Sequence, residues 1–205
     1  FIIYGAMFLG QFEPAMRAAK GMRATIPDAM LQIQSPPMAD FFEVQMGMEP
    51  HILIRFGMWE KILQLALPEN RDTYCACTAF IEYARGLALS ALGRVTEAEA
   101  QLEVFNAAKA RVPDTRLSHN VRAVDLLEVA TAMLEGELAY RKGDYDYAFA
   151  RLREAVALDD ALPYDEPWGW MQPTRHALGA LLFEQGHFDE AAHAFRQDLG
   201  LAPGL

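Results

Sequence analysis

The chain has 205 residues, 52% hydrophobic and 22% charged, the makeup of a globular protein able to bury a substantial core and not of a disordered one. Its 28 acidic and 18 basic side chains give a formal charge of −10, which repels a phosphate backbone and an anionic lipid surface, so neither nucleic acid nor membrane is an expected partner. Two cysteines, Cys75 and Cys77, are too few and too close for a disulfide framework, which fits a reduced, cytoplasmic setting.

The opening apolar run, Phe1 to Gly10, is about half of what a helix needs to span a bilayer and has no basic flank. It reads as the end of a helix, and a chain opening on Phe in mid-pattern is expected to be part of a longer one. Gly10 is the first of five anchors, followed by Gly57, Gly93, Gly143 and Gly186. Two residues after each stands Phe12, Trp59, Val95, Tyr145 or Phe188, and five after it Ala15, Ile62, Ala98, Ala148 or Ala191. Four before each lies Ala6, Leu53, Leu89, Ala139 or Leu182. A glycine at that phase supplies the left-handed residue that ends one helix before the chain reverses into the next. Glu97, Asp146, Asp189 and Glu190 then suit the positive end of the second helix.

In chain order the expected hairpins are 1–27, 38–68, 77–110, 121–158 and 173–203, a single all-α domain. Gly86, Gly136 and Gly179 recur seven residues before the last three anchors. A helix interior disfavours glycine by about 1 kcal/mol against alanine, so close approach of Ala98, Ala148 and Ala191 on the second helix is the expected reason. The anchors are separated by 47, 36, 50 and 43 residues, which leaves insertions at 29–37, 111–120 and 159–172 to be accommodated as loops or longer helices.

The stretch from Leu178 to Pro203, LGALLFEQGHFDEAAHAFRQDLGLAP, resembles a complete tetratricopeptide repeat, a family whose period is about 34 residues. The other hairpins are degenerate: Pro50 replaces the inner glycine near Gly57, Ile62 replaces alanine, and Asp160 stands where the closing proline would be. The segment DALPYDEPWGWMQPTRHALGALL, Asp160 to Leu182, is similar to uncharacterised bacterial tetratricopeptide proteins, a likeness that carries no activity with it. The resemblance implies an α-α superhelix, a solenoid of about five hairpins whose first helices line a concave groove. It puts Tyr4, His51, Arg55, Tyr83, Glu137, Tyr140, Arg141, His176 and Phe183 on that inner face. The implied function is a non-catalytic scaffold that holds a peptide or partner segment there; the alternative is that half of these residues merely pack neighbouring hairpins. The lysines and asparagines with which one subtype grips a carboxyl terminus are absent. A homodimer is compatible with such an array.

The insertion at 159–173 carries Tyr164, Trp168 and Trp170 among three prolines, either as a plug for irregular spacing or as a lid over the groove. With a lid, the chain reads instead as a small-molecule or metal-binding protein, its site enclosed by that loop and the inner His, Glu and Tyr residues. No metal ligand set is assigned: His187 and His193 lie about 240° apart around a helix, and Cys75 and Cys77 lack the second pair of a zinc motif. No phosphate loop, nucleophile elbow or His-Glu-x-x-His motif occurs, so no catalytic residue and no cofactor are expected. Eight of the ten methionines fall before residue 59, and they are expected in the core more than on an adaptable surface.

Overall fold

A computed structural model describes residues 1–201, so the closing Pro203 lies outside the described residues. The chain is mostly helical. Its N-terminal part holds α1 (Ile2–Phe8), α2 (Phe12–Thr25), two short helices α3 (Asp28–Leu31) and α4 (Met38–Phe42), a 3-10 turn at Val44–Gly47, then α5 (Glu49–Arg55) and α6 (Trp59–Leu63). The longer helices follow: α7 (Cys75–Ala91), α8 (Val95–Lys109), α9 (Ala123–Lys142), α10 (Tyr145–Asp160), α11 (Thr174–Glu184) and α12 (Phe188–Asp198). A two-residue-per-strand hairpin, Leu117–Ser118 with Val121–Arg122, joins α8 to α9. No helix among the described residues is long and apolar enough to cross a membrane.

Five helix pairs turn at the five anchor glycines, whose φ angles are all positive, between 63° and 82°. One hydrogen-bond pattern closes every turn. At Gly143 the glycine N–H donates to the Tyr140 carbonyl and the next N–H, of Asp144, to Ala139, each at 3.0 Å. The apolar residue four before each anchor thus supplies the carbonyl that closes the cap while its side chain packs inward. Asp144 also accepts from the Tyr147 N–H, at 3.3 Å, capping α10.

The inner glycines sit in tight contacts, but against larger groups than the alanines expected. A Cβ on Gly86 would meet Leu134 of the following pair at 2.8 Å, and one on Gly179 would meet the Phe195 ring at 2.7 Å. Gly136 meets its expected partner, through the Ala148 carbonyl oxygen at 3.2 Å, and faces Leu152 at 2.8 Å. The alanines are themselves fully covered. The glycines therefore admit a bulky neighbour instead of pairing small with small.

The second pair is shorter than 38–68. Pro50 stands in the first turn of α5, where its missing N–H costs nothing, so the helix opens there. Residues 38–47 form separate turns tied to α7 by the fully buried Glu43, whose carboxylate accepts from the Cys77 N–H at 2.7 Å and the Ala76 N–H at 3.3 Å. Arg116, from the loop after α8, pairs with both Asp40 and Glu43. Both cysteine thiols are buried and pushed up by that burial, and Cys77 Sγ donates to the Glu43 carbonyl at 3.0 Å.

Helix α7 is covered on nearly every side, as its apolar composition requires, and packs against α5, α6, α8 and α9. One apolar cluster joins α7, α9, α10 and α11; another joins α1, α2, α5 and α6 and includes Met171 from the segment before α11. Each fully buried Leu, Ile or Phe in them contributes about 1.5–3 kcal/mol. Of the eight methionines before residue 59, Met7, Met16, Met46 and Met48 are buried and Met22, Met30, Met38 and Met58 half-buried.

Candidate functional site

The first helices of the last four pairs, α5, α7, α9 and α11, face a common space together with the end of the segment 161–173. Steps of three and four residues place Arg55 on α5, Tyr83 and Leu87 on α7, Met133, Glu137 and Arg141 on α9, and His176 and Ala180 on α11 on its walls. Trp170 and Gln172 close one side and Trp59 of α6 another, leaving a cavity of about 300 Å³. Five residues expected on the inner face, Arg55, Tyr83, Glu137, Arg141 and His176, thus meet there, as does Trp170 of the insertion.

Trp170 is 2% exposed and stands edge-on to His51 and Tyr83, with ring centroids 5.3 and 5.7 Å away. Asp159 pins this insertion: its carboxylate accepts from Trp168 Nε1 at 2.7 Å and from the Thr174 hydroxyl at 3.0 Å. Trp170 fills a gap between pairs and forms a wall of the cavity.

The remaining expected residues lie elsewhere. His51 is buried behind Trp170 against Phe80, and burial without a polar partner pushes its imidazole down to about 4. Tyr140 packs against Tyr145 and Phe149 and accepts from Gln185, because its ring follows the α9–α10 seam. Tyr4 is half-buried on Phe8, with ring centroids 4.6 Å apart. Phe183, 62% exposed, lies on Phe188 at the outer corner of the last pair, and Tyr164 is 71% exposed. Trp168 is held by Asp159, outside the cavity lining. Trp59 and Gln172 were not expected: the inner-face rule considers first helices only, and Trp59 opens a second helix while Gln172 belongs to none.

The polar groups are arranged asymmetrically. Arg141 pairs with Glu137 at 2.7 Å; burial raises the Glu137 carboxyl above its ordinary range despite that guanidinium. Burial and the Glu137 charge together raise the Tyr83 phenol. Arg55 Nη1 lies 3.1 Å from His176 Nδ1, and His176 Nε2 lies 2.9 Å from the Asp198 carboxylate. A guanidinium only donates, so Nδ1 accepts and the imidazole proton sits on Nε2, donated to Asp198. Arg55 also stacks over Phe8, 5.2 Å from the ring centroid. Among the described residues, no three His, Cys, Asp or Glu side chains converge to hold a metal ion. The lining combines aromatic faces with the directed polar groups of Arg55, Glu137, Arg141 and His176.

The same contacts join the two ends of the chain. Phe8 of α1 meets His176 of α11 at 6.4 Å between ring centroids, and Gln172 Nε2 donates to the His51 carbonyl, 121 residues away, at 3.1 Å. No protein-family model, curated protein or solved structure matches the chain.

Proposed function

We propose that this chain is a tetratricopeptide-type array that works by binding, without catalysis, and that its ligand is a small molecule held in the cavity between α5, α7, α9 and α11. One observation carries the preference for a small molecule over the extended peptide the sequence favoured. The inner face is interrupted by Trp170 and by the Arg55–His176 contact, which leaves about 300 Å³, at the lower end of the 300–1,000 Å³ of small-molecule sites, in place of a continuous groove. The regular left-handed turns and the tight glycine contacts support the array reading.

Ala180 lines the cavity but is exposed, so Ala180→Trp should fill the mouth without disturbing the core. In a native mass-spectrometry screen against a metabolite library, compounds retained by the wild-type protein should be lost from Ala180→Trp. Hits retained equally by both would place binding elsewhere and end the reading. A peptide partner inserting one side chain is the second reading, favoured by the exposed edge formed by Ala180 and Arg141. It predicts a captured protein whose release by Ala180→Trp is not mimicked by any small compound.

A further inference from the structure

Building on the small-molecule reading, we infer that the ligand is an organic monocarboxylate with an apolar, ring-sized body, its carboxylate on Arg55 and its body against Trp170, Tyr83, Leu87 and Met133. The cavity is lined by two cations, but they are not equivalent. Arg141 already carries the Glu137 carboxylate at 2.7 Å. Arg55 has no carboxylate partner among the described residues; its one hydrogen-bond partner there is the His176 ring, 3.1 Å away.

Arg55 is nevertheless held in place. Phe8 covers its face at 5.2 Å, and His176 is itself fixed by Asp198 at 2.9 Å. A guanidinium oriented in this way, with further N–H groups unclaimed by protein acceptors, offers the planar fork that matches a carboxylate. The ordering cost is met before the ligand arrives.

Charge sets the valence. Arg55 and Arg141 against Glu137 leave one net positive charge on the cavity wall, in a chain whose overall charge is −10. A monoanion neutralises that charge. A phosphate dianion would exceed it. Apart from Gln172, the remaining walls, Ile54, Leu87, Met133, Ala177 and Leu181 with the aromatic faces, are apolar and suit a body of the same character.

Four probes that share a phenyl ring and differ in head group test the inference by isothermal titration calorimetry: 3-phenylpropionate, its primary amide, 3-phenylpropylamine and phenyl phosphate. The wild-type protein should bind the acid about tenfold or more tightly than the amide, the gain expected of a charge-assisted hydrogen bond. Phenyl phosphate should bind no better than the amide. Arg55→Glu should lose the acid by a similar factor and gain the amine, a positive result that an unfolded variant cannot give. Acid and amide binding alike, or Arg55→Glu keeping the acid, overturns the inference, as does a preference for the phosphate. If the probes bind without regard to charge and Ala180→Trp expels them, the small-molecule reading stands and only the anion falls. If neither these probes nor any library compound depends on the open cavity, both fall.

Discussion

His51 is uncharged at neutral pH because no polar partner accompanies its ring between Phe80 and Trp170. Its folded value, about 4, lies below the ordinary 6.5, so between these pH values the unfolded chain binds the proton and the folded chain does not. Stability attributable to this residue is therefore intact above pH 6.5 and falls as pH drops towards 4, by a total of about 3 kcal/mol. Glu43, Glu137 and Asp159 are shifted upwards, take protons in the folded state and act with the opposite sign, so only a difference between variants isolates His51. Urea denaturation at pH 7, 5.5 and 4 should show a flatter pH profile for His51→Phe than for the wild type; parallel profiles would mean that the imidazole is solvated. The sequence placed His51 and Tyr83 on the inward phase of their helices; Tyr83 lines the cavity, whereas His51 is buried between Phe80 and Trp170. Their burial behind Trp170 was not legible, since it depends on where an irregular segment more than a hundred residues later comes to rest.

The helix pairs were the most legible elements, because one small set of residues performs the turn each time: a left-handed glycine, and an apolar residue four places earlier whose carbonyl closes the cap. The inner glycines were legible as tight spots but not as to their neighbours, since a side chain arriving from another helix leaves no trace in the local pattern. They should respond differently to alanine. At Gly136 the added methyl meets Leu152, 1% exposed, and a backbone carbonyl, neither of which can yield. Gly136→Ala should cost about 1–3 kcal/mol of overpacking, more than the roughly 1 kcal/mol of helix propensity it gains. At Gly179 the obstacle is the rim of the Phe195 ring, 37% exposed and free to swing outwards, so Gly179→Ala should be close to neutral. Equal losses in urea midpoint would show that both contacts are equally rigid. The turns at 28–47 were invisible in the sequence because helices of four or five residues are too short to display a period. Asp159 is a further element-scale joint: Asp159→Ala removes the acceptor for Trp168 and Thr174, and should cost about 1–3 kcal/mol and shift tryptophan emission to the red. Unchanged emission would show the loop to be held by its packing alone.

A stack of repeats is ordinarily quasi-one-dimensional, each unit touching only its neighbours, and its stability is a sum over adjacent pairs. This chain departs from that scheme, because Phe8, Arg55, His176 and Asp198 link the first two pairs to the last. Equilibrium unfolding should therefore show one transition. His176→Phe removes both polar links; hydrogen exchange should then accelerate together in residues 1–25 and 174–198, with α7 and α9 unchanged. Acceleration confined to α11 would show the ends to be independent. Nothing in the repeat pattern announced this closure, since its rules concern neighbours. It also gives Arg55 a double membership: the side chain that faces the cavity is the one that fastens the extremities. Whatever neutralises Arg55 will be sensed first at the margins of the molecule, and slower amide exchange in α1 and α12 should report that the middle is occupied.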